Sequence, residues 1–182
     1  EKTLACDTKC LIPELDPKEY ALLEESIQKE GCRDPIIVWK ETIIDGHNRY
    51  LICNKLKISF TKVEREFNSE EEAIIWIIGN QLARRNLSPY DRTRLALKRE
   101  ECLRSKAKEN QTKGGGSVHL ISDKTVDTMN QIAKEAGVSR DSAYKVKEIE
   151  EKATEEQKGA LRAGKRTINS VYKDIQDKEI KE

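Results

Sequence analysis

The longest uninterrupted apolar run in this 182-residue chain is six residues, Ala73–Ile78, and that brevity bounds the folds open to it. A helix that crosses a bilayer needs about 20 consecutive apolar residues, so a membrane span is excluded. Charged residues make up 37% of the chain and hydrophobic residues 36%, where globular domains carry about 25% charged. Short apolar segments separated by charge build small cores, and the length allows one large domain or two small ones. The cysteines, Cys6, Cys10, Cys32, Cys53 and Cys102, are odd in number and spread over a chain too long to need covalent staples. That usage predicts free thiols in a reducing, cytoplasmic compartment. Cys6 and Cys10 have the spacing of half a metal site, but only His47 and His119 could add to it, so no structural zinc is expected.

Charge is distributed unevenly. Residues 1–83 hold 11 Lys+Arg against 16 Asp+Glu, residues 84–113 hold 10 against 4, and residues 114–182 hold 13 of each. An acidic segment followed by a concentrated basic one suits a polyanion-binding surface, because cations that neutralise phosphates release condensed counterions. A well-solvated helix would carry the same pattern.

Capping signals divide the chain into elements. Asp16-Pro17-Lys18-Glu19 opens a helix with apolar positions at Tyr20, Leu23 and Ile27, stopped at Gly31. The β-branched runs 35–39 and 42–44 around Lys40-Glu41 predict a hairpin, residues 50–56 a helix and 58–63 a third strand. Ser69-Glu-Glu-Glu72 is a capping box for a helix through Ile78, and residues 1–83 read as a small α/β domain. Ser88-Pro89-Tyr90-Asp91 starts a basic helix to about residue 110, followed by a Gly114–Ser117 connector and an irregular stretch over 118–127. Three helical stretches, about 128–136, 139–150 and 154–163, complete the pattern, with one more over 167–180. The domain reading is therefore 1–83, then 84–150, then a helical tail 151–182.

Three segments carry chemistry. In Gln131–Val146, Ala133 permits close helix approach, Gly137 supplies a positive φ for a tight turn, Val138 plugs the core and Ser139 caps a second helix. This is a helix-turn-helix pattern that points Arg140, Ser142, Tyr144 and Lys145 outward, where base edges and phosphates of double-stranded DNA are reached. Arg92 and Arg99 of the basic helix are candidates for phosphate contact. In the second segment, Ile43–Tyr50, a strand runs through Gly46 into a helix. Gly46, His47 and Asn48 expose backbone N–H groups at that helix start, and Arg49 adds a planar cation, the parts of a phosphate cradle. The third segment, Asn80–Pro89, places Arg84 and Arg85 between two helices, either reaching the same anion or lying in solvent.

Taken in order, these segments resemble the ParB family within the ParB/sulfiredoxin superfamily, over roughly residues 9–150. Asp34-Pro-Ile-Ile-Val, Ile44-Asp-Gly-His-Asn-Arg-Tyr50 and Asn80–Pro89 are similar to three family boxes, with Arg84 and Pro89 on the arginine and proline of the third. The resemblance implies an α+β chain: a ParB/sulfiredoxin-like α/β domain followed by an all-helical helix-turn-helix domain. It implies a DNA-binding protein of plasmid or chromosome partition, associated with nucleoid or plasmid, in which CTP and Mg²⁺ govern a clamp of two subunits and a partition ATPase is a partner. Gly46, His47, Asn48, Arg49, Arg84 and Arg85 would then line the nucleotide. The sequence departs from the pattern where Asn48 replaces a basic residue and where Asn80-Gln81 replaces a Glu-Asn pair. Loss of that carboxylate removes the natural hard ligand for Mg²⁺, so nucleotide hydrolysis is not expected. Against the family pattern, the C-terminal dimerisation domain is expected to be missing or replaced by the tail 151–182, which leaves the oligomeric state, a homodimer included, open.

The superfamily also contains enzymes. A sulfiredoxin-like activity would place a Cys where His47 stands, and Cys53 lies well down the following helix. Asp45-Gly46-His47 could serve a phosphotransferase, the alternative reading, whereas a nuclease would need paired carboxylates and histidines to hold two metals, which the sequence does not offer.

Overall fold

The computed structural model describes residues 11, 15–83, 87–113 and 125–180. Arg84, Arg85, Cys6, Cys10 and the Gly114–Ser117 connector lie outside the described residues. Among the described residues, eight helices and one mixed three-stranded sheet make an α+β chain, the class implied by the sequence. The chain divides into two compact units, residues 1–77 and 78–182.

In the first unit, α1 (Pro17–Glu30) is capped by Asp16, whose carboxylate accepts from Lys18 N at 2.8 Å. The hairpin follows as β1 (Ile36–Trp39) and β2 (Thr42–Asp45), antiparallel, with a register shift at Ile37/Val38. Its two-residue turn, Lys40-Glu41, has positive φ at both positions, 46° and 66°. That is the I′ geometry that matches the twist of paired strands. The next helix, α2 (His47–Leu56), begins directly after β2, three residues earlier than the sequence pattern suggests. The third strand, β3 (Lys62–Glu64), pairs parallel to β1, giving the order β2-β1-β3.

β3 is shorter than the predicted 58–63 because Ile58 and Phe60 are used elsewhere. Both pack against Ile27, Ile52 and Cys53, where α1 meets α2, so burial at the helix pair wins over ladder pairing. A second apolar group joins Trp39, Phe67 and Trp76, with ring centroids 5.8 Å apart in each successive pair. The helix that carries Trp76, α3 (Glu70–Leu82), forms half of the expected capping box: Ser69 Oγ accepts from Glu72 N, while the Glu72 carboxylate accepts from Asn68 N, one residue before the cap.

The second unit is helical: α4 (Pro89–Lys113), α5 (Thr125–Ala136), α6 (Arg140–Lys152), α7 (Glu155–Arg162) and α8 (Ile168–Glu179). Ser88 Oγ accepts from Asp91 N and donates to Asp91 Oδ2, fixing the start of α4. One core cluster joins Ala96 to Met129, Ile132, Ala133, Ala136 and Ala143, so α5 and α6 both rest on α4. The other joins Tyr90, Val146, Ile149, Leu161, Val171 and Ile175. The 151–182 segment, read from sequence as a tail, therefore contributes Leu161, Val171 and Ile175 to the same core as α6. Val146, Ile149 and Val171 are fully buried, each gaining about 1.5–3 kcal/mol from removal of apolar surface from water. No helix among the described residues is long and apolar enough to cross a membrane.

Candidate nucleic-acid interface and anion cradle

The α5–α6 pair is built as its sequence predicts. Gly137 has φ +67°, Val138 N donates to Ala133 O at 2.9 Å, and Ser139 Oγ caps α6 by accepting from Ser142 N at 3.1 Å. Ala133, Ala136 and Ala143 are buried between the helices. Their small side chains let the two axes approach, which leaves the opposite side of α6 outward.

The predicted contact residues divide on that side. Arg140 and Tyr144 are exposed and stacked on each other, the guanidinium carbon 5.5 Å from the ring centroid and Nη2 donating to the phenol at 3.3 Å. Ser142 Oγ lies 2.9 Å from Ser139 Oγ and belongs to the cap. Lys145 is turned back into the protein. Its ammonium is 2.7 Å from Asp141 Oδ2, donates to Asn169 Oδ1 at 3.0 Å, and lies 5.6 Å from the centre of the Tyr172 ring. Asn169 and Tyr172 belong to α8, a partnership that a helix read as a separate tail could not reveal.

The basic helix is more neutral than its composition suggests. Arg99 pairs with Glu135 of α5, Lys98 with Glu101, Arg104 with Glu100, and the buried Arg94 lies 3.8 Å from Asp91. Arg92 is half-buried. The three pairs outside the core contribute about 0–1 kcal/mol each, but all four lower the charge that α4 offers to phosphate.

The cradle in the first unit has the predicted frame. Gly46 is buried at φ +90° and forms the N-cap of α2, and no side chain caps this end. The first N–H groups of a helix have no intrahelical partner, so those of His47, Asn48 and Arg49 face the approach to Gly46 with the positive end of the helix dipole behind them. A Cβ at Gly46 would stand 3.0 Å from Arg49 Nη2. The guanidinium is held there by Pro35 O at 3.1 Å and Asp45 Oδ2 at 3.3 Å, while its Nε is buried without a hydrogen-bond partner. Asp45 offsets part of the cation, an opposing charge that sequence reasoning missed although it stands at i−4 on the box itself.

These features fit an anion such as phosphate. Half-buried Asn80 and buried Gln81, at the end of α3, belong to the second unit. Gln81 makes no side-chain hydrogen bond among the described residues.

No family model matches the chain, and no curated protein matches it. Solved structures do. One, a C2221 form of a Pnob8-like ParB-N domain, superposes with a TM-score of 0.56 at 19% identity over 91% of this chain and 72% of that one. The chain has the fold of a ParB N-domain. A second structure, of the pNOB8-like ParB N-domain, gives 0.53 at 18% identity over 91% of this chain and 68% of that one. The ParB resemblance carried by the three boxes is thus matched by a ParB-type fold across most of the chain.

Proposed function

We propose that this chain is a ParB-like partition protein that binds double-stranded DNA through α6 and holds a phosphate-bearing ligand at Gly46. The observation that carries the reading is the α5–α6 pair. A positive-φ hinge and a capped second helix leave Arg140 and Tyr144 outward, in a chain with the fold of a ParB N-domain. A helix so presented enters a major groove with its N-terminal half toward base edges. Arginine there reads guanine bidentately or grips phosphate, and Tyr144 keeps the guanidinium extended by stacking.

Lys145 acts at one remove in this account. By neutralising Asp141, which is exposed beside Arg140, it keeps a carboxylate charge from repelling the DNA backbone. At the cradle, the positive end of the α2 dipole and Arg49 suit the phosphates of a nucleotide, with CTP the first candidate because of the resemblance to ParB. Bound nucleotide would supply negative charge to the α2 N-terminus and compete with Asp45 for Arg49.

Capture of fragmented genomic and plasmid DNA by the full chain, followed by sequencing, tests the DNA reading. The account predicts recovery of a recurrent site, and uniform recovery of all sequences would contradict it. Titration with CTP, ATP and GTP, with and without Mg²⁺, tests the cradle, and Arg49→Ala is expected to remove whatever binding is seen.

A further inference from the structure

Two thiols meet where α1, α2 and the loop entering β1 come together. Cys53 is fully buried on α2, in a cluster with Ile27 and Ile52, and half-buried Cys32 packs against that cluster from the loop. The Cys32 thiol donates to Asp34 O at 3.4 Å. Neither cysteine is in a disulfide. Burial first, and then the hydrogen bond with Cys32, push the Cys53 thiol up to about 11. Beside this pair, Arg49 Nη2 donates to Pro35 O, so the 31–35 loop and α2 are already tied at a second point one helical turn away.

We propose that Cys32 and Cys53 form a reversible disulfide that braces the 31–35 loop onto α2. Thiols that share one packed cluster would close to the roughly 2.05 Å of a disulfide, and the crosslink would add a covalent tie to the one Arg49 makes. The oxidant is a hydroperoxide. The sulfur of the more accessible Cys32, as thiolate, attacks the peroxide; an S–O bond forms, the O–O bond breaks, and the released hydroxide or alkoxide takes up a proton. The Cys53 sulfur then attacks the Cys32 sulfenic acid, forming S–S and breaking S–O, and its proton leaves with the hydroxyl as water. The pair loses two electrons and the peroxide gains them. An inert buried cysteine acting only as a small apolar filler would show none of this.

The bridge is read without any ligand, so it stands or falls apart from the function proposed above. The reduced full chain is treated with graded hydrogen peroxide, quenched with N-ethylmaleimide, digested without reduction and mapped by mass spectrometry. The expected product is a Cys32–Cys53 peptide pair that dithiothreitol separates. With it, thermal unfolding of the oxidised protein rises by roughly 5–10 °C over the reduced one. Cys32→Ser, a change at a half-exposed position, abolishes both signals even if Cys53→Ser fails to fold. Recovery of Cys32 as sulfinic acid or alkylated thiol with Cys53 never linked would overturn the proposal, as would preferred pairing of Cys32 with Cys6, Cys10 or Cys102.

Discussion

Gly46, the N-cap of α2, and Gly137, between α5 and α6, both hold a left-handed backbone, yet their surroundings differ. A Cβ on Gly46 would crowd the Arg49 guanidinium at 3.0 Å, whereas one on Gly137 would meet nothing within 4 Å. The first glycine therefore serves two needs, conformation and space, and the second only conformation. Arg49 is folded back over the backbone with its side chain one-fifth exposed, while Arg140 reaches into solvent. An enclosed cation at a helix N-terminus suits a small anion, and an open helix face suits a large polyanion.

The largest expected effect sharpens the second half of that contrast. Ile149→Ala removes a fully buried side chain from the core that α6 shares with α4, α7 and α8, and should cost about 2–5 kcal/mol of stability by denaturant unfolding. DNA binding should fall with it. Next, Gly46→Ala and Gly137→Ala should each lose about 1–2 kcal/mol from the forced left-handed conformation. Gly46→Ala should lose more because Arg49 must also move, and it should abolish phosphate binding. Gly137→Asn should recover most of the loss at the open hinge, since asparagine tolerates this conformation, while Gly46→Asn should recover none. Equal behaviour of the two positions would break the comparison.

Lys145→Ala should weaken DNA binding by up to about 1 kcal/mol by exposing the Asp141 charge, and the double variant with Asp141→Asn should restore it in the same assay. The smallest effect concerns acid stability. Hydrogen bonding to Lys152 holds the Glu148 carboxyl below its usual range, so the folded unit binds fewer protons than the unfolded chain. Its contribution is present above the ordinary glutamate pKa of about 4.3 and is lost as pH falls through the lower folded value. Glu148→Gln should flatten this acid limb by well under 1 kcal/mol, roughly the scale of an exposed pair, as read from unfolding midpoints against pH.

Much of this was legible from local chemistry. Caps at Asp16, Ser69, Ser88, Ser139, Thr154 and Thr167 fall where side-chain oxygens precede helical runs, because the bond they accept is made within three residues. The hinge at Gly137 and the strand-to-helix turn at Gly46 were equally local. What escaped were contacts made across sequence distance. Ile58 and Phe60 look like strand residues but fill the α1–α2 core, and residues 151–182 look like a tail but complete the core around α6. Some partners of the basic residues are equally remote: Glu135 lies 36 residues from Arg99, and Lys145, besides the local Asp141, reaches Asn169 24 residues away.

The central claim is that the outer side of α6 meets a duplex through Arg140. Fluorescence anisotropy of the full chain on its captured site and on a scrambled duplex, over a range of salt, measures it most directly for wild type and Arg140→Ala. The account predicts a loss of about 1–3 kcal/mol confined to the captured site if Arg140 reads a base, or a uniform loss with a salt slope lower by about one if it grips phosphate. Identical affinity and salt slope for the two proteins on both duplexes would contradict it.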